Sequence, residues 1–206
     1  MPFLDYNSEI HVYETGTLPH WHQDGKIQFV TFRLADSLPQ EKIKELQNIK
    51  DTFYRTHTLP WDDKTKLEYF RLIGPMENKL LDNGYGACVL KNKAVRIIVS
   101  ETIAYYENIR YQSLAYVIMP NHVHWLLKLF DSNNLTKIIQ SVKRQSAKEI
   151  NAFYNQSGTV WMKEYFDRII RSHEHLIHCL NYIKDNPKFL NSDKYSLYIA
   201  EGLECL

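Results

Sequence analysis

Two histidines one residue apart are the first candidates for chemistry in this sequence. His122 and His124 open a run, residues 122–129, in which every second residue from Val123 to Leu129 is apolar, and this run predicts a β-strand. Alternate side chains of a strand leave the same face of its sheet, so both imidazoles would point the same way. Neutral imidazole binds divalent metals well, and the pair predicts a two-pronged metal site. The alternative is two partly exposed histidines on a sheet surface.

A helix near the end of the sequence carries the second set of candidates. It is predicted to begin after Ser172 and to end at Asn186, before Pro187. Its apolar residues cluster on one side, and the opposite side carries four side chains that could do chemistry: His175, His178, Tyr182 and Asn186. A tyrosine at the rim of an amphipathic helix fits Tyr182 equally well. Asn186 could supply an oxygen ligand or simply end the helix, and His178 is either another ligand or a solvated side chain.

Basic residues lie between these two candidate groups. From residue 133 to residue 171 there are seven positive side chains against three negative ones. The positive ones are Lys137, Lys143, Arg144, Lys148, Lys163, Arg168 and Arg171. Lys137, Arg144 and Lys148 recur on one side of a predicted helix, where they could follow a phosphate backbone. A solvated helix face is the alternative.

Composition limits the classes of function. The chain has 206 residues, with 25 Lys and Arg against 24 Asp and Glu, so a nucleic-acid partner would have to meet a local patch. No apolar run approaches the roughly 18 residues of a membrane span, and the first residues lack a signal-peptide pattern. We therefore expect a cytoplasmic protein without membrane contact. Nucleotide-hydrolase, zincin, α/β-hydrolase and zinc-finger motifs are absent from the sequence.

The order of predicted elements indicates how the candidates are positioned. A strand over residues 27–34 precedes helices over 40–56, 64–81 and 91–108. Hairpin strands follow over 114–119 and 122–129, then a helix over 134–154, short strands over 160–162 and 166–170, and the last helix. This order predicts an α+β sandwich, with helices packed on an antiparallel sheet. Repeats and linkers are absent from the sequence, which favours a single domain over residues 1–206.

Several motifs resemble those of one enzyme family when they are taken in order. The run Met119-Pro120-Asn121-His122-Val123-His124 resembles the histidine motif of the single-tyrosine HUH transposases. Residues 160–171, followed by 181–187, resemble the REP-associated tyrosine transposase branch of that family. Residues 29–39 and 141–144 extend the resemblance, which runs from Trp21 to Pro187.

The resemblance implies a ferredoxin-like core, with His122 and His124 as metal ligands, Tyr182 as the nucleophile and Asn186 as a further polar ligand. The metal would be Mg²⁺ or Mn²⁺. Residues 40–84 would form a helical insertion, and the tail after residue 187 departs from the family sequence at 188–191.

The function that the resemblance implies is that of a metal-dependent endonuclease and strand transferase. It would act on single-stranded, hairpin-forming DNA through a 5′-phosphotyrosine intermediate, as a monomer or a homodimer. DNA contacts would come from six basic residues: Lys137, Lys143, Arg144, Lys148, Arg168 and Arg171. The alternative is a domesticated, catalytically silent protein that binds hairpin DNA. A small metal hydrolase is disfavoured, because the usual barrel hosts need about 250 residues.

Overall fold

The computed structural model describes residues 2–14, 19–58 and 61–204. The strands are β1 His11–Glu14, β2 Pro19–His22, β3 Ile27–Arg33, β4 Tyr111–Ile118, β5 His122–Leu129, β6 Phe166–Ile169 and β7 Ser196–Ile199. The helices are α1 Gln40–Thr56, α2 Asp63–Asp82, α3 Lys93–Ala104, α4 Leu135–Phe153 and α5 His173–Asp185. None of these described helices is long and apolar enough to cross a bilayer.

The chain divides into two compact units. One runs up to Ala35 and resumes at Val89, and the other is Asp36–Cys88. In the second unit, α1 and α2 pack around buried aromatic side chains, with Phe53, Trp61 and Tyr69 in mutual ring contact. The prediction of a single domain with a helical insertion at residues 40–84 stays a prediction.

The larger unit is built on a five-stranded antiparallel sheet in the order β6-β3-β5-β4-β7, and β1 pairs with β2 in a separate hairpin. Taken along the chain, β3, α3, β4, β5, α4 and β6 give the βαββαβ order of a ferredoxin-like core, to which β7 adds an edge strand. The predicted α+β fold with a ferredoxin-like antiparallel sheet is confirmed.

Both faces of this sheet are covered. Val123, Trp125 and Leu127 of β5 pack in one core with residues of α3 and α4. Leu126 of the same strand packs in a second core with residues of α5. The face that carries His122 and His124 is therefore an interior face, where the two histidines are only 1% and 0% exposed. The alternative of partly exposed histidines does not hold.

The structure differs from the sequence-based elements mainly at short strands. β1, β2 and β7 have four residues each and were not predicted. In place of the predicted strand over 160–162 there is an isolated bridge between Leu34 and Trp161. Segments this short show too little alternation to reveal a strand, and their neighbours in the sheet decide their conformation.

Candidate active site

The histidine pair sits at the start of the central strand β5, directly after a tight turn. Met119 donates its backbone N–H to the carbonyl of His122 at 2.8 Å, and Leu34 donates to the carbonyl of Asn121 at 2.9 Å. His124 lies opposite Thr31 of β3 on one side and opposite Val117 of β4 on the other. Because β5 is paired on both sides, the backbone that carries the two imidazoles is fixed.

Each imidazole is also held through its Nδ1 atom. His122 Nδ1 lies 2.7 Å from Asn121 Oδ1, and His124 Nδ1 lies 2.7 Å from Thr31 Oγ1. The Asn121 amide oxygen can only accept, so His122 donates from Nδ1 and carries a lone pair on Nε2. The two Nε2 atoms are 3.1 Å apart. The arrangement therefore turns both Nε2 atoms toward one point.

Burial keeps both imidazoles neutral. Desolvation lowers the pKa of His122 to about 3. It also takes the pKa of His124 well below its usual value, with smaller contributions from His122 and the positive charge of Arg168. Neutral imidazole is the form that binds a metal ion, so this pair is in the ligating state at neutral pH.

Helix α5 places Tyr182 against the histidines. The helix begins at the Ser172 cap and packs on the sheet through buried residues such as Cys179 and Leu180. The Tyr182 hydroxyl oxygen lies 3.4 Å from His124 Nε2, and the two rings meet edge-on with centroids 5.0 Å apart. Phe29 lies beside both rings. The structure thus brings together the two histidines and the tyrosine singled out by the sequence.

The other polar residues of α5 separate into distinct positions. Asn186 caps the helix one turn after Tyr182, and its backbone N–H donates to the Tyr182 carbonyl at 3.0 Å. Within the described chain, its buried Oδ1 has no hydrogen-bond partner. A buried amide oxygen left unpaired costs free energy, which a ligand at this position would recover. His175 instead accepts the Arg171 backbone N–H at 3.2 Å, and His178 is exposed.

The donor set can be compared with the needs of a divalent ion. Among the described residues, no three or more His, Cys, Asp or Glu side chains are grouped to hold a metal. The available donors are two neutral imidazole nitrogens and the unpaired Asn186 oxygen. Mixed nitrogen and oxygen donors of this kind suit a divalent cation, and the orphaned oxygen indicates that the residues present fit one.

The predicted DNA-contacting lysines and arginines of α4 lie on the other side of the sheet, where a groove of about 620 Å³ runs beside the segment 158–163. Lys137 and Arg144 line the groove and are exposed, and Lys148 is exposed on the same helix. Lys163 and Arg110 also line it and were not among the six predicted contacts. Arg110 lies outside the basic run, stacked over the Tyr106 ring at 3.8 Å, and no sequence pattern singles it out.

Lys143 has a different environment from its neighbours. Its Nζ donates to the backbone carbonyls of Met162, Lys163 and Glu164 at 3.0, 3.1 and 3.1 Å. An ammonium group has three N–H donors, so these bonds occupy all of them. Burial lowers its pKa to about 8. Lys143 therefore supports the groove wall from inside.

Arg168 and Arg171 are not part of the α4 surface. Arg168 of β6 lies opposite Phe29 of β3, and its guanidinium carbon is 4.9 Å from the centroid of the Phe29 ring. This is the sheet face covered by α5, the face of His124 and Tyr182. Arg171 follows β6 and leads into α5. Proximity in sequence had grouped both arginines with α4.

A buried pair that the sequence analysis missed lies next to β6. Asp167 points away from the α5 face, and its carboxylate pairs with His20 Nδ1 of β2. The His20 ring stacks on Tyr165 with centroids 4.1 Å apart. Burial raises the pKa of Asp167, an effect that His20 opposes. The signal was present in the sequence, because His20 and His22 have the same spacing as His122 and His124.

Comparison with known proteins agrees with this geometry. Residues 85–186, which contain the histidine hairpin, α4 and α5, match the family model described as Transposase IS200 like. A curated relative, the putative REP-associated tyrosine transposase of Haemophilus influenzae, is 27% identical over 92 residues, which is 39% of this chain and 52% of the relative. The chain thus spans about half the length of that relative.

Two solved structures are also similar. One is a REP-associated tyrosine transposase bound to a REP hairpin, at 13% identity and a TM-score of 0.46, covering 82% of this chain and 71% of that one. The other is a putative transposase from Deinococcus radiodurans, at 13% identity and a TM-score of 0.33, covering 78% and 89%. The family match spans just under half of the chain, and within residues 85–186 the chain is similar to the IS200-like transposases. The resemblance to the REP-associated tyrosine transposases is confirmed.

Proposed function

We propose that this protein is a metal-dependent nickase and strand transferase that acts on single-stranded DNA beside hairpins. The observation that carries the proposal is the 3.4 Å separation between the Tyr182 hydroxyl oxygen and His124 Nε2. In the same site, His122 Nε2 lies 3.1 Å from His124 Nε2. A phenol beside two neutral imidazoles suits attack on a phosphodiester, and Asn186, one turn further along α5, offers an unpaired amide oxygen.

The reaction is a transesterification. The Tyr182 oxygen attacks the phosphorus, a bond between phosphorus and the tyrosyl oxygen forms, and the bond from phosphorus to the 3′ oxygen breaks. The phenolic proton is balanced by the proton that the leaving 3′ oxygen gains. The products are a 5′-phosphotyrosine and a free 3′-hydroxyl, and the retained phosphoester allows a strand to be rejoined by the reverse reaction without ATP.

The other residues of the site have separate proposed roles in orienting the imidazoles, holding the metal ion and fixing the tyrosine ring. Asn121 and Thr31 hold the two imidazoles through Nδ1, which orients both Nε2 atoms. His122, His124 and Asn186 would hold Mg²⁺ or Mn²⁺, which when bound supplies positive charge at the scissile phosphate and favours the phenolate. Packing of α5 fixes the Tyr182 ring against Phe29 and His124.

The groove beside α4 is proposed to bind the phosphates of the DNA hairpin. Lys137, Arg144 and Lys148, with Lys163 and Arg110, would make these contacts, and Lys143 would hold the groove wall. The cytoplasmic location and the monomeric or homodimeric state stay predictions.

A second candidate function is catalytically silent binding of hairpin DNA. The observation that favours it is the donor set, in which the only oxygen ligand proposed from the described residues is a neutral amide. Such a set binds Mg²⁺ less strongly than one with a carboxylate.

The decisive experiment is a covalent trapping assay. Hairpin oligonucleotides from the flanks of the protein's own gene, labelled at the 3′ end, are incubated with protein and Mn²⁺ and separated by denaturing electrophoresis. We expect a shifted, labelled band with the wild type, and no such band with Tyr182→Phe or in the presence of EDTA. Tyr154→Phe, a matched change of the residue that caps the end of α4, is the control and should keep the band. A band that survives Tyr182→Phe contradicts the proposal, and tight hairpin binding without any band supports the silent protein.

A further inference from the structure

Arg168 lies in the candidate active site, on the opposite sheet face from the basic groove. Its guanidinium carbon is 4.9 Å from the centroid of the Phe29 ring. The same ring is 5.6 Å from the His124 ring and 6.0 Å from the Tyr182 ring, measured between centroids. One aromatic side chain is thus the common neighbour of the arginine, a histidine of the pair and the candidate nucleophile.

The surroundings of this guanidinium contain positive and neutral groups. The positive charge of Arg168 helps to lower the pKa values of His124 and His175. The guanidinium also donates a hydrogen bond to the Cys179 sulfur. Arg171 contributes a further positive charge near His175.

A compensating anion is missing from the described chain around Arg168. No described carboxylate forms an ion pair with it, and its buried Nε has no hydrogen-bond partner there. Asp167, its neighbour in sequence, faces the other side of the sheet and pairs with His20. A partly buried guanidinium with unused donors is costly to hold, unless an anionic ligand takes part in its hydrogen bonding.

We propose that Arg168 binds the scissile phosphate of single-stranded DNA, donating to its nonbridging oxygens beside Tyr182. The proposal rests on the proposed function for the identity of the phosphate. A guanidinium presents a planar fork of N–H donors that matches two oxygens of one phosphate. Negative charge on these oxygens grows as the tyrosyl oxygen attacks, so the same contact strengthens in the transition state. Arg168 is on this account a catalytic residue.

The test is a coupling measurement that does not require cleavage. All proteins carry Tyr182→Phe, and fluorescence anisotropy measures their affinity for a hairpin oligonucleotide with a single-stranded flank. A neutral methylphosphonate replaces one flank phosphate at a time. We expect one position at which the replacement weakens binding by about 10- to 150-fold, the range for one charged hydrogen bond. The additional change Arg168→Gln removes that sensitivity, whereas Lys93→Gln, a matched loss of one positive charge at the exposed start of α3, keeps it.

The proposal is overturned if, at every position, the methylphosphonate weakens binding by the same factor with and without Arg168→Gln. Arg168→Lys is the second variant, because it preserves the charge if the glutamine variant does not fold. We expect it to restore part of the sensitivity but not the full effect of the two-pronged contact.

The covalent assay with Tyr182 intact separates this inference from the proposed function. If wild type forms no adduct but the phosphate coupling to Arg168 is present, strand transfer fails and the phosphate site stands. If wild type forms the adduct and Arg168→Gln forms it at the same rate, the assignment of Arg168 is wrong while strand transfer stands.

Discussion

At the scale of single residues, the state of the histidine pair is set by burial. An ordinary histidine has a pKa near 6.5, whereas burial lowers that of His122 to about 3 and that of His124 well below normal. Between these values the unfolded chain binds protons that the folded chain does not bind. The free energy of unfolding therefore falls as the pH falls from about 6.5 toward about 3, and this contribution is constant above that window.

Each of the two histidines is expected to add a slope of up to about 1.4 kcal/mol per pH unit to the free energy of unfolding within this window. Urea unfolding in EDTA at several pH values between about 7.5 and 4.5 measures the slope. We expect His122→Gln to reduce it and His178→Gln, a change of an exposed histidine on α5, to leave it unaltered. An identical pH dependence in wild type and His122→Gln would show that burial does not set the protonation of the pair.

Thr31 gives a second prediction at this scale. Its hydroxyl lies 2.7 Å from His124 Nδ1, and without this contact the imidazole is free to rotate away from Tyr182. Thr31→Val is expected to slow adduct formation about 10- to 100-fold and to raise the Mn²⁺ concentration that is needed, as for other residues that orient a ligand. The control is Thr31→Ser, which keeps the hydroxyl. Equal rates for the two variants would assign Thr31 to packing alone.

At the scale of elements, α5 converts one face of the sheet into an interior site. Its apolar residues pack on Phe29 and Leu126, and this packing presents Tyr182 to the histidines. The segment before β6 depends on a different element, because Lys143 of α4 donates to three of its carbonyls. The α4 helix therefore supports the strand that carries Arg168.

The Lys143 contacts predict a change in stability that its charged neighbours do not share. Lys143→Met removes three hydrogen bonds, two of them part-buried, and leaves the three carbonyls without this donor, so we expect the free energy of unfolding to fall by about 2 kcal/mol. Arg144→Met, an exposed change on the next residue, should alter it by less than about 0.5 kcal/mol. Urea denaturation compares them, and equal values would mean that Lys143 is not a structural residue.

The sequence predicted side-chain directions correctly where a local period determines them. Alternation along β5 placed His122 and His124 on one face, and the helical period of α5 separated Tyr182 and Asn186 from the leucines. It failed where tertiary neighbours decide. Arg168 lies on the sheet face of His124 and Tyr182 because β6 pairs with β3 in a register that sets it opposite Phe29, and no local pattern contains that register. The same holds for the short strands β1, β2 and β7 and for the pairing of His20 with Asp167, which is 147 residues away.

At the scale of the whole molecule, positive charge is local. The chain has a net charge of +1, yet the groove beside α4 gathers Lys137, Arg144, Lys163 and Arg110. On the opposite sheet face, Arg168 lies against Phe29, which is in ring contact with His124 and Tyr182, and Arg171 lies near His175. The proposed hairpin-binding and strand-cleaving surfaces are thus on two sides of one sheet, each with its own basic residues.

This separation predicts that the salt dependence of hairpin binding belongs to the groove. Each phosphate contact contributes about 0.9 to the slope of log affinity against log salt on a duplex stem, and about 0.7 on a single strand. Replacing both Lys137 and Arg144 with Gln should therefore reduce the slope by about 2 on the stem. The control replaces Lys42 and Lys44 of α1 with Gln, which removes the same net charge from the Asp36–Cys88 unit. Anisotropy titrations over a range of salt concentrations measure both. If the two double variants lower the slope equally, binding follows net charge and the groove has no special part in it. If only the α4 double variant lowers the slope, the hairpin binds at the groove beside α4.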